Sequence, residues 1–155
     1  MKTHVITLSK SFMKGHPREG EPTDFAAKFL SGEKKHTLRG NTEYWSKKIQ
    51  EVMDGKAILS VRQWTGKPYA SKQETLKDLT ATDGVGFQIV LLDAEFSCFQ
   101  TKPGHYNCYP NISTISFNDG LLIDDFREWF GLVEPTPSRL EHVCAIIIHF
   151  TNFRY

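Results

Sequence analysis

Apolar positions along the chain fall into blocks of two different periods. Phe25 with Phe29 and Ala26 with Leu30 recur at helical spacing behind Thr23 or Asp24, residues suited to an N-cap, and the pattern stops at Gly32. This predicts a first helix. A second follows from Asn41 or Thr42 as cap, with Trp45, Ile49, Val52 and Met53 forming one apolar stripe that Gly55 closes. From Lys56 the pattern becomes that of a strand, Ala57 to Arg62, and a turn-rich stretch from Gln63 to Gln73 comes next. Further strands are predicted at Val85 to Leu92 and at Ala94 to Phe99, before an irregular segment from Thr101 to Asn111. Leu122, Phe126, Trp129 and Phe130 then return to helical spacing, with Asn118 or Asp119 as the cap and Gly131 as the stop. The last block, Val143 to Phe150, is continuously apolar and rich in β-branched residues, which predicts a strand buried on both faces. The segment from Lys14 to Pro22 is a loop, after a short apolar opening of Val5, Ile6 and Leu8.

These elements describe an α+β arrangement, consistent with a small barrel flanked by about three helices. The 155 residues fall within the size of one domain, and no internal repeat or low-complexity tract divides them, so a single domain over 1–155 is expected. Apolar and charged fractions of 39% and 24% are those of an ordinary globular chain. A formal net charge of +1 supplies no global positive field, so tight binding of duplex DNA is not expected. Lys2, His4, Lys10 and Lys14 interrupt the opening, which leaves no secretory apolar core, and the run from Val143 to Ile148 is too short to span a bilayer. We expect a cytoplasmic protein without membrane contact. Cys98, Cys108 and Cys144 do not pair by spacing, and reduced thiols are the simplest expectation. A zinc set drawn from Cys98, His105, Cys108 and either Cys144 or His142 matches no compact knuckle, so no metal and no cofactor are expected.

Chemistry concentrates in two places. The segment Gly32-Glu33-Lys34-Lys35-His36-Thr37-Leu38-Arg39 joins a helix end to a strand, whose alternation puts Thr37 and Arg39 on one face. Lys34 belongs to the preceding turn, which must reorient the chain for the amine to reach the same space. A lysine beside a threonine hydroxyl acts as a base only where burial or nearby cations lower its pKa. The bland alternative is a solvated basic edge with Thr37 chosen for strand propensity. The second place is the stretch from Arg62 to Gln73, which interleaves Arg62, Lys67 and Lys72 with Trp64 and Tyr69, a mixture suited to stacking a base and holding phosphate. Its alternative is that both aromatics pack on the core while the lysines are solvated.

Gly32, Lys34, Thr37 and Arg39 follow the Gly-x-Lys-x-x-Thr-x-Arg signature of the ASCH family, a branch of the PUA-like β-barrel proteins, and the chain resembles that family. Ser60 to Gln73 is similar to the strand and loop of a phage or prophage-associated subgroup. Asp119-Gly120 with Asp125 to Phe130 is similar to its later helix, and Ile148 to Tyr155 to its closing strand. The resemblance implies a PUA-like barrel and the binding of RNA or a modified nucleotide, with Arg39, Arg62, Trp64, Lys67, Tyr69 and Lys72 on the ligand. Some small bacterial members are amidohydrolases that remove the acetyl group from the exocyclic amine of cytidine. For such an activity the resemblance implies Lys34 as base, Thr37 as nucleophile and Asp119 in place of a glutamate, one methylene shorter. A protein-interaction adaptor using Thr101 to Asn111 as a contact loop is a third expectation.

Overall fold

The computed structural model describes residues 1–109, 111–132 and 143–155. The apolar block near the end forms β8 (Val143–His149), in which Ala145 to His149 are buried, and it is the second strand of a five-stranded antiparallel sheet. β2 (His36–Arg39) pairs with one edge of β8 and β5 (Gly86–Leu92) with the other; β6 (Ser97–Lys102) and β7 (His105–Tyr109) extend the sheet beyond β5. A smaller sheet has β1 (Lys2–Leu8) parallel to β3 (Ala57–Trp64), and β3 antiparallel to β4 (Gln73–Leu79). Ile6 and Leu8 of β1 and Ala57, Leu59 and Val61 of β3 alternate into the core.

The helices cover and join these sheets. α1 (Phe25–Ser31) buries Phe25 and Phe29, and Gly32 ends it at φ 84°, a left-handed conformation that costs glycine little. Leu30 is 59% exposed, so the expected pairing of Ala26 and Leu30 makes no core face. α2 (Thr42–Met53) begins where the Asn41 side chain accepts from the Tyr44 N–H at 3.2 Å. It turns Ile49 and Val52 inward, leaves Met53 exposed, and packs on β3, β5 and β8, so one helix touches both sheets. The third expected helix is two: α3 (Ser113–Asn118) and α4 (Ile123–Trp129). Asn118 and Asp119, expected to start a helix, lie at the end of α3, because Gly120 at φ 84° turns the chain before α4 begins.

Three other expectations change. The strands make two open sheets and not a closed barrel. Among the described residues β1 and β2 are edge strands that do not pair with each other, and a side chain links them: Arg39, whose Nη2 donates to the carbonyl of Thr7. The segment from Thr101 to Asn111 is not irregular: β7 crosses it, with all five residues exposed, so it has no apolar alternation to reveal it. Cys98 and Cys108 stand opposite each other on β6 and β7 and form a disulfide, which corrects the expectation of reduced thiols; Cys144 is free and exposed. Those two sulfurs are therefore not zinc ligands, and His142 lies outside the described residues. No helix among the described residues is long and apolar enough to cross a membrane.

Candidate functional site

The turn after α1 does reorient the chain. Lys34 N–H donates to the carbonyl of Lys28 at 3.0 Å, and Lys35 N–H donates to the carbonyl of Asn118 at 2.8 Å, which ties the turn to the end of α3. Between these two anchors the Lys34 side chain enters the protein and is 2% exposed. Its ammonium lies 4.1 Å from the centre of the Phe25 ring and donates twice to Asp119, to the backbone carbonyl and to Oδ1, the latter at 3.0 Å. Asp119 reaches it because it is the last residue before the Gly120 turn. Lys28 holds that turn from outside by donating to the Gly120 carbonyl at 2.9 Å.

Alternation on β2 supplies the other two groups. Thr37 is buried, and its Oγ1 accepts from Arg39 Nη1 at 2.9 Å. Arg39 also donates to the Leu38 carbonyl at 2.8 Å and to the Thr7 carbonyl across the gap between the sheets. A guanidinium has five N–H donors, so one on Nη2 and the one on Nε remain without an acceptor among the described residues. Lys34, Thr37, Arg39 and Asp119 all line one cavity of about 340 Å³, located in the gap between β1 and β2. Thr7, Leu8 and Ser9 form one side of it, while Phe25, Met13, Trp129 and Phe130 give it an aromatic and apolar wall. This size lies within the range of small-ligand pockets, and the lining has the usual form of an apolar wall with a few convergent polar groups.

Burial sets the electrostatics. It pushes the Lys34 ammonium below the ordinary lysine range, against the opposing pull of the Asp119 carboxylate. Arg39 is likewise lowered by burial and supported by Asp119. His36, beside Thr37 on β2, is driven toward its neutral form by burial, although Asp119 favours its charged form. Lys34, Arg39, Asp119 and Thr37 thus bring two cations, one carboxylate and one hydroxyl to the cavity, in surroundings where each interaction is stronger than in water.

Arg62, Trp64, Lys67, Tyr69 and Lys72 do not join this group. None lines the cavity. They belong to β3 and to the β3–β4 hairpin tip, where Arg62 Nε donates to Ser60 Oγ at 2.9 Å and Trp64 packs against Tyr69 in a tilted pair with ring centres 5.1 Å apart. Tyr69 is 91% exposed and Lys67 and Lys72 face solvent. The tip adjoins the end of β1, since Lys10 Nζ donates to the Thr65 carbonyl at 3.2 Å. The aromatics that do reach the cavity, Phe25, Trp129 and Phe130, had been assigned to helix stripes. Periodicity alone cannot separate a stripe residue that meets the core from one that meets a cavity. His36 and Tyr155 are a further pair that the spacing did not single out: Tyr155 Oη bonds His36 Nε2 from the far end of the chain. Two of the three carboxylates of α4 have structural partners, Asp125 with Arg18 at 2.6 Å and Asp124 with Arg127 at 3.4 Å. No protein-family model, no curated protein and no solved structure matches this chain.

Proposed function

We propose that the cavity binds a nucleotide or nucleoside derivative, including a modified base presented by single-stranded RNA. The observation that carries the reading is the convergence of buried Lys34, Thr37 and Asp119 and half-buried Arg39 on one aromatic-walled cavity. Burying such groups against one another contributes little to stability, so their presence at a cavity favours ligand recognition. A base has a planar π-face for Trp129 or Phe130 and polar edges for Thr37, Asp119 and the two spare N–H groups of Arg39. The hairpin with Trp64 and Tyr69, beside the end of β1, suits a neighbouring nucleotide of the same strand. Ribonucleosides, nucleotides and short single-stranded RNA titrated against the protein, with Trp129→Ala and Trp64→Ala variants, test this. Binding weakened by Trp129→Ala places the base in the cavity; weakening by Trp64→Ala alone moves it to the hairpin. No binding above that of a matched control protein refutes the proposal.

A second reading, an amidohydrolase acting on acylated cytidine or a related amide, has its own observation: Thr37 Oγ1 accepts from Arg39 while Lys34 is held below the ordinary lysine range. In this reading Thr37 attacks the acyl carbonyl and gives its proton to Lys34, and Arg39 faces the resulting oxyanion. Collapse breaks the C–N bond, the departing amine takes the proton from Lys34, and water then releases the acid from Thr37. Incubation with N4-acetylcytidine and chromatography for cytidine tests it. Turnover abolished in Lys34→Ala and Thr37→Ala supports the enzyme; no turnover over a panel of acylated nucleosides removes it.

A further inference from the structure

Behind the cavity floor lies a second line of polar groups. Asn118 Nδ2 donates to Tyr155 Oη at 3.1 Å, and Tyr155 Oη is bonded to His36 Nε2. On the other side of the ring, His36 Nδ1 is 3.5 Å from Asp119 Oδ1, the oxygen that accepts from Lys34 at 3.0 Å. Asn118, Tyr155, His36, Asp119 and Lys34 therefore form a line from the C-terminal segment to the cavity, hydrogen-bonded at every step except the 3.5 Å approach of His36 Nδ1 to Asp119. His36 is fully buried, and its Nδ1 has no hydrogen-bond partner within ordinary geometry among the described residues.

The directions of the protons follow from the chemistry of the donors. A phenol oxygen that accepts from an amide uses its single proton elsewhere, and the neighbour in reach is His36 Nε2. That nitrogen must then be an acceptor, so the neutral ring carries its proton on Nδ1, facing the Asp119 carboxylate. The opposite tautomer would set a lone pair against that carboxylate. His149, whose ring centre is 5.5 Å away on β8, is engaged at Nε2 with Gln88 Oε1 at 2.9 Å and does not compete for Tyr155. The charged or titratable groups that face His36 are Asp119 at the end of α3, Lys34 in the turn before β2, His149 on β8 and Tyr155.

We propose that His36, oriented by Tyr155, is a positioning residue that presents Nδ1–H to Asp119 and thereby sets how firmly Asp119 holds the Lys34 proton at the cavity floor. Its use in ligand chemistry rests on the function proposed above; the contact itself does not. A donor directed at a carboxylate disperses negative charge that would otherwise act on the ammonium, so His36 keeps Lys34 readier to release or share its proton.

The test uses the ligand-free protein, so it stands or falls apart from ligand binding. In wild-type protein labelled at histidine with nitrogen-15, the His36 resonances are expected to show the Nδ1–H tautomer; an Nε2–H tautomer overturns the proposal without any variant. In protein labelled at the lysine ε-carbon, with Lys34→Arg to assign the resonance, the Lys34 titration midpoint is read in His36→Asn and His36→Gln. The asparagine amide occupies the place of Nδ1 and can still donate to Asp119, whereas glutamine reaches toward Tyr155 and cannot. We expect the midpoint to move up in His36→Gln and to stay near wild type in His36→Asn. An unmoved midpoint in a folded His36→Gln, or equal movement in both variants, overturns the proposal and makes His36 a packing residue.

Discussion

The buried histidine at the end of β8 makes acid the most informative perturbation. His149 is fully buried on β8, its Nε2 bonded to Gln88 Oε1 at 2.9 Å and its Nδ1 without a partner among the described residues. Burial first, then the neighbouring His36 ring and Arg154, lowers its pKa from about 6.5 to about 3. The sign follows from proton counting. Between those two values the unfolded chain binds a proton at this position that the folded chain refuses, so stability is complete above about 6.5 and falls as the pH is lowered toward 3. At about 1.4 kcal/mol for each pH unit, the full displacement corresponds to roughly 5 kcal/mol, a large part of the ~5–15 kcal/mol that holds a domain of this kind together. His36 is displaced in the same direction and adds to the slope. Urea unfolding followed by tryptophan fluorescence, from neutral pH down to about pH 4, measures the wild-type slope; His149→Gln keeps a donor for Gln88 and removes the titration. We expect the variant to lose some stability at neutral pH and to show a shallower decline on acidification. Parallel declines in the two proteins would mean that His149 is protonated in the fold, and would refute the reasoning.

Arg39→Ala removes the side chain that links β1 to β2, and with charge-assisted hydrogen bonds worth about 1.5–3 kcal/mol each it is expected to lower the melting temperature and to increase amide exchange at Thr7 to Ser9; unchanged exchange in that stretch argues against the link. Lys34→Met leaves the Asp119 carboxylate buried without its cation and is expected to cost on the order of 3–5 kcal/mol in denaturant unfolding, of which Lys34→Met with Asp119→Leu recovers a substantial part; additive losses in the double variant contradict the pairing. Gly84 turns the chain at φ 86°, and a Cβ there would meet the Asn152 backbone N at 2.4 Å, so Gly84→Ala is expected to destabilise by more than the ~1–2 kcal/mol of left-handed strain alone; a stability within error of wild type excludes that packing.

What the sequence made legible, and what it hid, divides along one physical line. β8 is evident because a strand flanked by partners on both edges and covered on both faces carries an unbroken apolar run, and α2 because Ile49 and Val52 recur at helical spacing on the side that meets both sheets. β4 and β7 are edge strands whose residues are mostly exposed, so selection for core contact leaves no alternation in Gln73-Glu-Thr-Leu-Lys-Asp-Leu79 or His105-Tyr-Asn-Cys-Tyr109. The same holds for the site. The relation of Thr37 to Arg39 is local, two residues apart on one strand, and strand alternation alone puts them together. The relation of Lys34 to Asp119 spans 85 residues and that of His36 to Tyr155 spans 119, and no spacing rule reaches so far. Aspartate is a familiar N-cap, and the pattern points Asp119 to the start of a helix; it instead ends α3 and precedes a left-handed Gly120, which directs its carboxylate across the turn.

The open seam connects these observations. A chain with edge strands β1 and β2 facing one another has the option of pairing them and closing the sheet, which would satisfy their backbone groups at no cost in buried charge. Instead Arg39 spans the gap with its guanidinium, and the space left beside it is the cavity. Beside that gap stand a cation near Thr37, a lysine against Phe25 and a carboxylate that pairs with the lysine, all at least half-buried. A buried arrangement of this kind is weak as a source of stability and strong as a source of directed charge. The sheets thus stay apart where these polar groups converge, and Arg39 serves both sides at once: one of its donors reaches β1 at Thr7, two hold its own strand at Thr37 and Leu38, and two have no acceptor among the described residues.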